Sequence, residues 1–370
     1  MSPYQRFPPL INALIVSSVA VCTVIHPALA QSSDTVIVRD ICYDKTGDPK
    51  LNSLDIYSPK GKSKCPVVIF IHGGGWQIGD KRGSARGKSE AFPKKGYVFV
   101  SINYRLSPDV KHPVLVQDCA KSIAWIQENI AKYGGDPTNL FVMGHSAGAH
   151  LAALVSTDEQ YLKKEGLRLA ALRGTILLDG GSYDMTASGV KKASKDETFA
   201  EVFGNDPAVL KSASPLFNVA PGKNIPPFLI IYVASRFDTK KQSEELAGTL
   251  AKSGVKADVK PAINKTHETL NKELGNKGDL PTDQVYAFLE TVITGKVQSP
   301  TVVSPFQVTP VTDTNPRRSH AALNLTPAQR AQAKDLLQKY KGNRENPKFC
   351  KEFSRILTPE QREKMSNLHL

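Results

Sequence analysis

The chain has 370 residues, 40% of them apolar and 22% charged, enough for one large domain and an additional segment. That balance excludes a disordered or fibrous chain, and a chain of this size buries a core that needs no disulfide framework. The formal charge is +13, and residues 299–370 hold twelve Lys/Arg against six Asp/Glu, a net +6; such an excess suits either a solvated basic surface or an acidic partner such as a polysaccharide.

In chain order, residues 1–30 read as a secretory signal. Arg6 supplies the positive region, Leu10–Ile25 the apolar run and Ala28-Leu29-Ala30 the small-x-small cleavage pattern. Asn12, Ser17, Ser18 and Thr23 interrupt that run, which also falls short of the roughly 20 residues of a membrane span. Cleavage before Gln31 and export, periplasmic or secreted, are expected, and export argues against nucleic acid as a partner. Cleavage removes Cys22 and leaves Cys42, Cys65, Cys119 and Cys350. None lies in a C-x-x-C pair, so neither a zinc nor a redox site has support. Cys42 and Cys65, both at strand ends, are candidates for a disulfide in an oxidising compartment.

From about residue 35 to 295 apolar bursts alternate with helical stretches. Strands are expected at Val36–Val38, Leu54–Tyr57, Pro66–His72, Tyr97–Ile102, Leu140–Met143, Thr175–Leu178, Phe228–Val233 and, more weakly, Lys256–Ala262. Runs apolar at successive positions indicate strands covered on both faces, as in a parallel sheet. Between them, Val116, Cys119, Ile123, Ile126 and Ile130 recur at steps of three and four, the stripe of a helix; Lys240–Lys252 and Thr282–Ile293 are also amphipathic. The alternation gives an α/β fold. Residues 182–222 are irregular and suit a loop or small cap. Residues 296–320, with Pro300, Pro305, Pro310 and Pro316, read as an extended linker, and residues 321–370 as a basic helical tail.

The chemistry concentrates at Gly144-His145-Ser146-Ala147-Gly148, a G-x-S-x-G that follows a strand and opens an Ala/Leu-rich helix. That context is a nucleophile elbow, in which a tight turn lifts the serine hydroxyl clear of the sheet. Upstream, His72-Gly73-Gly74-Gly75-Trp76 leaves another strand. Acyl transfer develops an oxyanion, which needs donors fixed where the charge appears, and glycines bring backbone amides close to it. No Lys-Ser/Thr follows, as a phosphate-binding loop requires, and His72 reads as structural.

Ser146 needs a base, and the base an orienting acid, in the chain order Ser, acid, His. Of His150, His267, His320 and His369, only His267 follows a late strand in the catalytic region, which makes it the expected base; His150 faces packing on the elbow helix. Asp238, five residues past the Phe228–Val233 strand, is the expected acid, with Asp184 the alternative. Asp179 reads as a strand-end residue.

Residues 35–295 resemble the α/β-hydrolase superfamily, in particular the exported esterases near hormone-sensitive-lipase-like and feruloyl-esterase-like (BD-FAE-like) proteins. The resemblance rests on His72-Gly73-Gly74-Gly75-Trp76, Asn103-Tyr104-Arg105-Leu106, Tyr133-Gly134-Gly135-Asp136-Pro137 and Gly144-His145-Ser146-Ala147-Gly148-Ala149-His150-Leu151. It implies a mainly parallel sheet with helices on both faces, oxyanion donors at Gly74, Gly75 and Ala147, no metal or organic cofactor, and carboxylic esters, including short acyl and sugar-linked acetyl or feruloyl esters, as substrates. The acid loop Ala234-Ser235-Arg236-Phe237-Asp238 departs from the family by lacking a glycine. Leu325-Thr326-Pro327-Ala328-Gln329 and Leu357-Thr358-Pro359-Glu360-Gln361 resemble the paired L-T-x-x-Q motifs of Spy/CpxP-like periplasmic proteins. Two alternatives stay open: an arylformamidase-like amide hydrolase using the same residues, and a non-catalytic binding or chaperone-like protein that works through its tail.

Overall fold

A strand that is apolar on both faces has to lie between two layers of helices, and the computed structural model, which describes residues 34–187, 197–296, 326–339, 352–353, 355–358 and 361, shows that arrangement. The expected signal segment, the expected linker from residue 297 onward, residues 321–325 and most of 340–370 lie outside the described residues. Eight strands form one sheet: β1 (Thr35–Cys42), β2 (Ser53–Pro59), β3 (Cys65–Ile71), β4 (Val98–Ile102), β5 (Gly135–His145), β6 (Leu172–Leu178), β7 (Phe228–Val233) and β8 (Ala257–Ala262). Their spatial order is β1-β2-β4-β3-β5-β6-β7-β8. β1 pairs antiparallel with β2, and β2 antiparallel with β4; every other pair is parallel.

Alternate side chains of β3 enter two separate cores. Val67, Ile69 and Ile71 join one, and Val68 and Phe70 the other, as the two-residue period of a strand requires. Helices α1 (Lys88–Lys94), α2 (Val114–Asn129) and α3 (Ala147–Thr157) follow β3, β4 and β5 in turn, α4 (Glu159–Lys164) follows α3, and α5 (Glu197–Phe203), α6 (Pro207–Ser212) and α7 (Pro215–Asn218) lie between β6 and β7. They are followed by α8 (Phe237–Lys252), α9 (His267–Lys272), α10 (Leu280–Thr294) and α11 (Pro327–Lys339). The α2 stripe of Val116, Cys119, Ile123 and Ile126 packs with Leu151, Leu154, Leu246 and Leu250 on one face. Phe92, Leu270, Val285, Phe288 and Leu289 cover the other. Among its described residues, the expected cap region thus carries three short helices.

Register places the chemistry. Ile71 of β3 pairs with Gly144 of β5, His145 of β5 with Leu178 of β6, and Leu178 with Ile231 of β7. The carboxyl ends of these four strands are therefore level, and the loops leaving them meet at one edge of the sheet, where ligands of open α/β sheets bind.

Cys42 and Cys65 are both free, as is Cys119, so the expected disulfide does not form. β1 and β3 are separated by β2 and β4, a lateral distance of about 14 Å at about 4.8 Å per strand, beyond disulfide reach. Closeness to the start of the fold in sequence did not mean closeness across the sheet.

In the tail, the Thr326 hydroxyl accepts from the Gln329 amide at 3.2 Å while the Thr326 amide donates to Gln329 Oε1 at 2.9 Å, a reciprocal cap that starts α11. Thr358 and Gln361 repeat it at 3.2 and 3.0 Å. Gln329 Nε2 then donates to Gln361 Oε1 at 2.8 Å, so each motif glutamine both caps its own turn and grips the other.

Candidate active site

β5 delivers the chain to Ser146, whose backbone is held at φ 56° and ψ −122° before α3 begins. That left-handed conformation is costly for a residue with a Cβ, and its occurrence here marks a constrained elbow. The turn closes only because its flanks are glycines: a Cβ on Gly144 would lie 2.1 Å from the Gly148 carbonyl oxygen, and one on Gly148 would lie 2.1 Å from the Ile71 carbonyl oxygen. The Ser146 amide donates to the Leu178 carbonyl at 3.0 Å, which fixes the serine to the end of β6.

His267 is the first residue of α9, set by the capping box of Thr266 and Thr269. Its Nε2 lies 2.9 Å from Ser146 Oγ, and its Nδ1 lies 2.6 Å from Oδ2 of Asp179. A carboxylate can only accept, so Nδ1 carries the proton and Nε2 is left as the acceptor for the serine hydroxyl. This is the tautomer that a general base for Ser146 needs.

The acid facing His267 is thus Asp179, not Asp238. Asp238 lies exposed in the first turn of α8 and on the wall of the neighbouring cavity. Asp184 is used locally, its Oδ1 accepting from the Thr186 amide and hydroxyl at 2.8 and 2.7 Å. Asp179 follows β6 directly, with φ 44°, and its amide donates to the Ile231 carbonyl at 2.7 Å. Its side chain is wholly buried. Burial alone would raise the carboxyl pKa, but hydrogen bonds from His267 and the Val233 amide, with the charge of Arg236, more than offset it and hold it at about 2. The segment expected to carry the acid instead surrounds it: Val233 N and Thr239 Oγ1 donate to Oδ1 at 2.9 and 3.0 Å, and Arg236 Nη1 donates to Oδ2.

The glycine loop after β3 passes against the serine at Gly73, where a Cβ would lie 3.0 Å from that of Ser146. Gly74 adopts φ 113° and Gly75 φ 60°, and among the described residues neither amide has an acceptor. Ala147, the first residue of α3, has by position no acceptor within its helix. His72 is buried, its Nδ1 2.7 Å from its neighbour's carbonyl and its ring stacked on Tyr104 at 4.4 Å, a structural role for a histidine that burial holds below its usual pKa. His150 also packs, its Nε2 donating to the Ala213 carbonyl at 2.8 Å.

Ser146 and His267 open onto a cavity of about 420 Å3 whose walls include Trp76, Phe199, Phe237 and Gln242. Three contributors to the arrangement escaped the sequence reading. Asp179 was visible as an aspartate directly after a strand and before Gly180-Gly181. His145 and Arg236 stood beside expected site residues, but nothing in their spacing marked them. His145 Nε2 donates to the His267 carbonyl at 2.8 Å; burial, then the nearby His267 charge, pushes its pKa down to about 3, so it is neutral.

The same architecture has known counterparts. The chain resembles esterase B from Lactobacillus rhamnosis with a TM-score of 0.61, 22% identity, and coverage of 71% of this chain and 87% of that one. It resembles a truncated carbohydrate esterase from gut microbiota with a TM-score of 0.60, 21% identity, and coverage of 72% and 99%; both likenesses concern the fold. In sequence it is 28% identical to a probable isoprenylcysteine alpha-carbonyl methylesterase of Arabidopsis thaliana, over 70% of this chain and 56% of that protein. It is 34% identical to esterase LipQ of Mycobacterium tuberculosis, over 52% and 47%. The chain spans about half the length of these curated relatives. The BD-FAE family model matches residues 54–250, from β2 through most of α8, and the chain belongs to that family.

Proposed function

We propose that the protein is a serine hydrolase of carboxylic esters that works through an acyl-enzyme on Ser146. The observation that carries the reading is the continuous line from Ser146 Oγ to His267 Nε2 at 2.9 Å and from His267 Nδ1 to Asp179 at 2.6 Å. His267 Nε2 takes the hydroxyl proton as Oγ attacks the ester carbonyl, and Asp179 steadies the imidazolium that forms. The amides of Gly74, Gly75 and Ala147 receive the oxyanion. Collapse of the tetrahedral intermediate breaks the acyl–oxygen bond, and His267 returns the proton to the leaving alcohol. Water then attacks the acyl-enzyme with His267 again as base, releasing the acid and the free serine.

The substrate class is a short-chain ester, including acetyl or feruloyl groups on sugars. Family membership supports this, as does a modest cavity with the aromatic walls of Trp76, Phe199 and Phe237. Export belongs to the same reading: the charged, apolar and small-x-small sequence of residues 1–30 supports it, and N-terminal sequencing of the mature protein, expected to begin at Gln31, tests it. The paired threonine–glutamine caps of the tail support a Spy/CpxP-like helical segment, whose basic charge suits an acidic polysaccharide. To test the activity, hydrolysis of p-nitrophenyl acetate, butyrate and octanoate is compared with that of an acetylated sugar. Turnover that falls with acyl length is expected; turnover of arylformamides in preference to every ester would favour the amide hydrolase instead.

A further inference from the structure

The loop between β7 and α8 places a cation where a carboxylate was expected. Arg236 is half-exposed, and its Nη1 reaches both Asp179 Oδ2 and, at 2.7 Å, His267 Nδ1. Arginine can only donate and the carboxylate can only accept. With Nδ1–H turned to Asp179, the Arg236 N–H also goes to Asp179, and its positive charge stands against the imidazole ring.

The Asp179 side chain is fully buried, and a buried carboxylate is costly unless an opposite charge faces it. The Val233 amide and the Thr239 hydroxyl satisfy its lone pairs without charge. While His267 is neutral, Arg236 is the only cation bonded to that carboxylate among the described residues. When His267 takes a proton, a second cation arrives beside the first. A charge so placed favours the unprotonated carboxylate–imidazole pair and opposes addition of a proton to it, whichever of the two groups accepts the proton.

We propose that Arg236 is a positioning residue that holds the Asp179–His267 pair in its unprotonated, Nδ1–H form and thereby sets the acid limit of the activity profile. This rests on the serine-hydrolase reading above. Other titratable groups surround the pair. His145 from β5 stacks on His267 and is neutral, Lys88 from α1 donates to the Asn271 carbonyl at the far end of α9, and Glu268 is next to His267 on α9. Asp238, Lys241 and Glu245 line the cavity from α8, the last two as an i,i+4 pair. Tyr183 follows Asp179 and is buried. Apart from His267, only Arg236 among these charges bonds to the carboxylate.

The test is kcat/KM for p-nitrophenyl acetate from pH 4.5 to 9 in the parent, Arg236→Gln and Arg236→Lys. Fluorophosphonate titration of Ser146 sets the concentration of competent protein, so partial misfolding does not enter the rates. In Arg236→Gln the acid limb is expected to move to higher pH by about one pH unit, so that the loss is large near pH 6 and mostly recovered near pH 8. Arg236→Lys is expected to keep the parent limb. An unshifted limb in Arg236→Gln, even with a uniformly lower rate, would overturn the inference; so would an equal shift in Arg236→Lys. Arg236→Met replaces the glutamine variant if that protein does not fold. The two failures are separable: an active Ser146→Ala control defeats the hydrolase reading, whereas an inactive control with an unshifted limb defeats only the role of Arg236.

Discussion

His145 and His267 stack with ring centroids 4.5 Å apart, and the Nε2 of His145 donates to the backbone carbonyl of His267 at 2.8 Å. The residue before the proposed nucleophile thus grips the proposed base. Because burial keeps His145 neutral, with a pKa near 3, the contact persists across the working pH range without adding a charge beside the base. His145→Leu would remove one of the donors to the carbonyl of His267 and the ring that stacks on it. The expected outcome is a kcat/KM lower by about tenfold, the equivalent of about 1.4 kcal/mol, with Ser146 still labelled by a fluorophosphonate. Parent-like kcat/KM would show that the grip has no catalytic consequence.

Asp179 and Asp238 make opposite predictions. Asp179→Asn keeps the shape of the side chain but removes the charge that selects the Nδ1–H tautomer, and kcat is expected to fall about 10³–10⁴-fold. Asp238, exposed on the cavity wall, is expected to tolerate Asp238→Asn with kcat within about threefold of the parent. Steady-state kinetics on both variants decides it, and a collapse confined to Asp238→Asn would reverse the assignment.

That pair also marks where sequence stops being sufficient. The strands were readable because Val67 to Ile71 and Phe228 to Val233 are apolar at every position, which only a doubly covered sheet accommodates. Gly144 and Gly148 announced the elbow because no larger residue fits there. The acid differed: Asp179, Asp184 and Asp238 all follow strands, and sequence carries no measure of which carboxylate is buried against His267. The departure from the usual acid loop at Ala234-Ser235-Arg236 was visible, but that the loop would supply a cation to Asp179 depended on how the ends of β6 and β7 align. Cys42 and Cys65 failed as a pair for the same reason, since strand order across the sheet does not follow chain order.

Stability is expected to fall in mild acid because of buried neutral histidines. Burial depresses the pKa of His150 to about 3, and that of His145 likewise. In the unfolded chain each titrates near the usual value of about 6.5. Below that pH the unfolded chain binds protons that the folded chain does not, so stability declines as pH falls from about 6.5 toward 3, by up to about 1.4 kcal/mol per pH unit for each histidine. The depressed Asp179 contributes only lower, between about pH 4 and 2. His150→Gln retains a donor for the Ala213 carbonyl but cannot titrate. Urea unfolding at pH 7 and pH 5 is expected to show a smaller loss in this variant, by roughly 1–2 kcal/mol. An equal loss in both proteins would mean that His150 is already protonated when folded.

The central claim is that the hydroxyl of Ser146 is the nucleophile. Its most direct test is hydrolysis of p-nitrophenyl acetate by Ser146→Ala beside the parent, both beginning at Gln31. The account predicts a fall in kcat/KM of at least about 10³-fold with unchanged thermal unfolding. Turnover by the alanine variant at a rate close to the parent's would contradict it, because the line from Ser146 through His267 to Asp179 would then carry no acyl transfer.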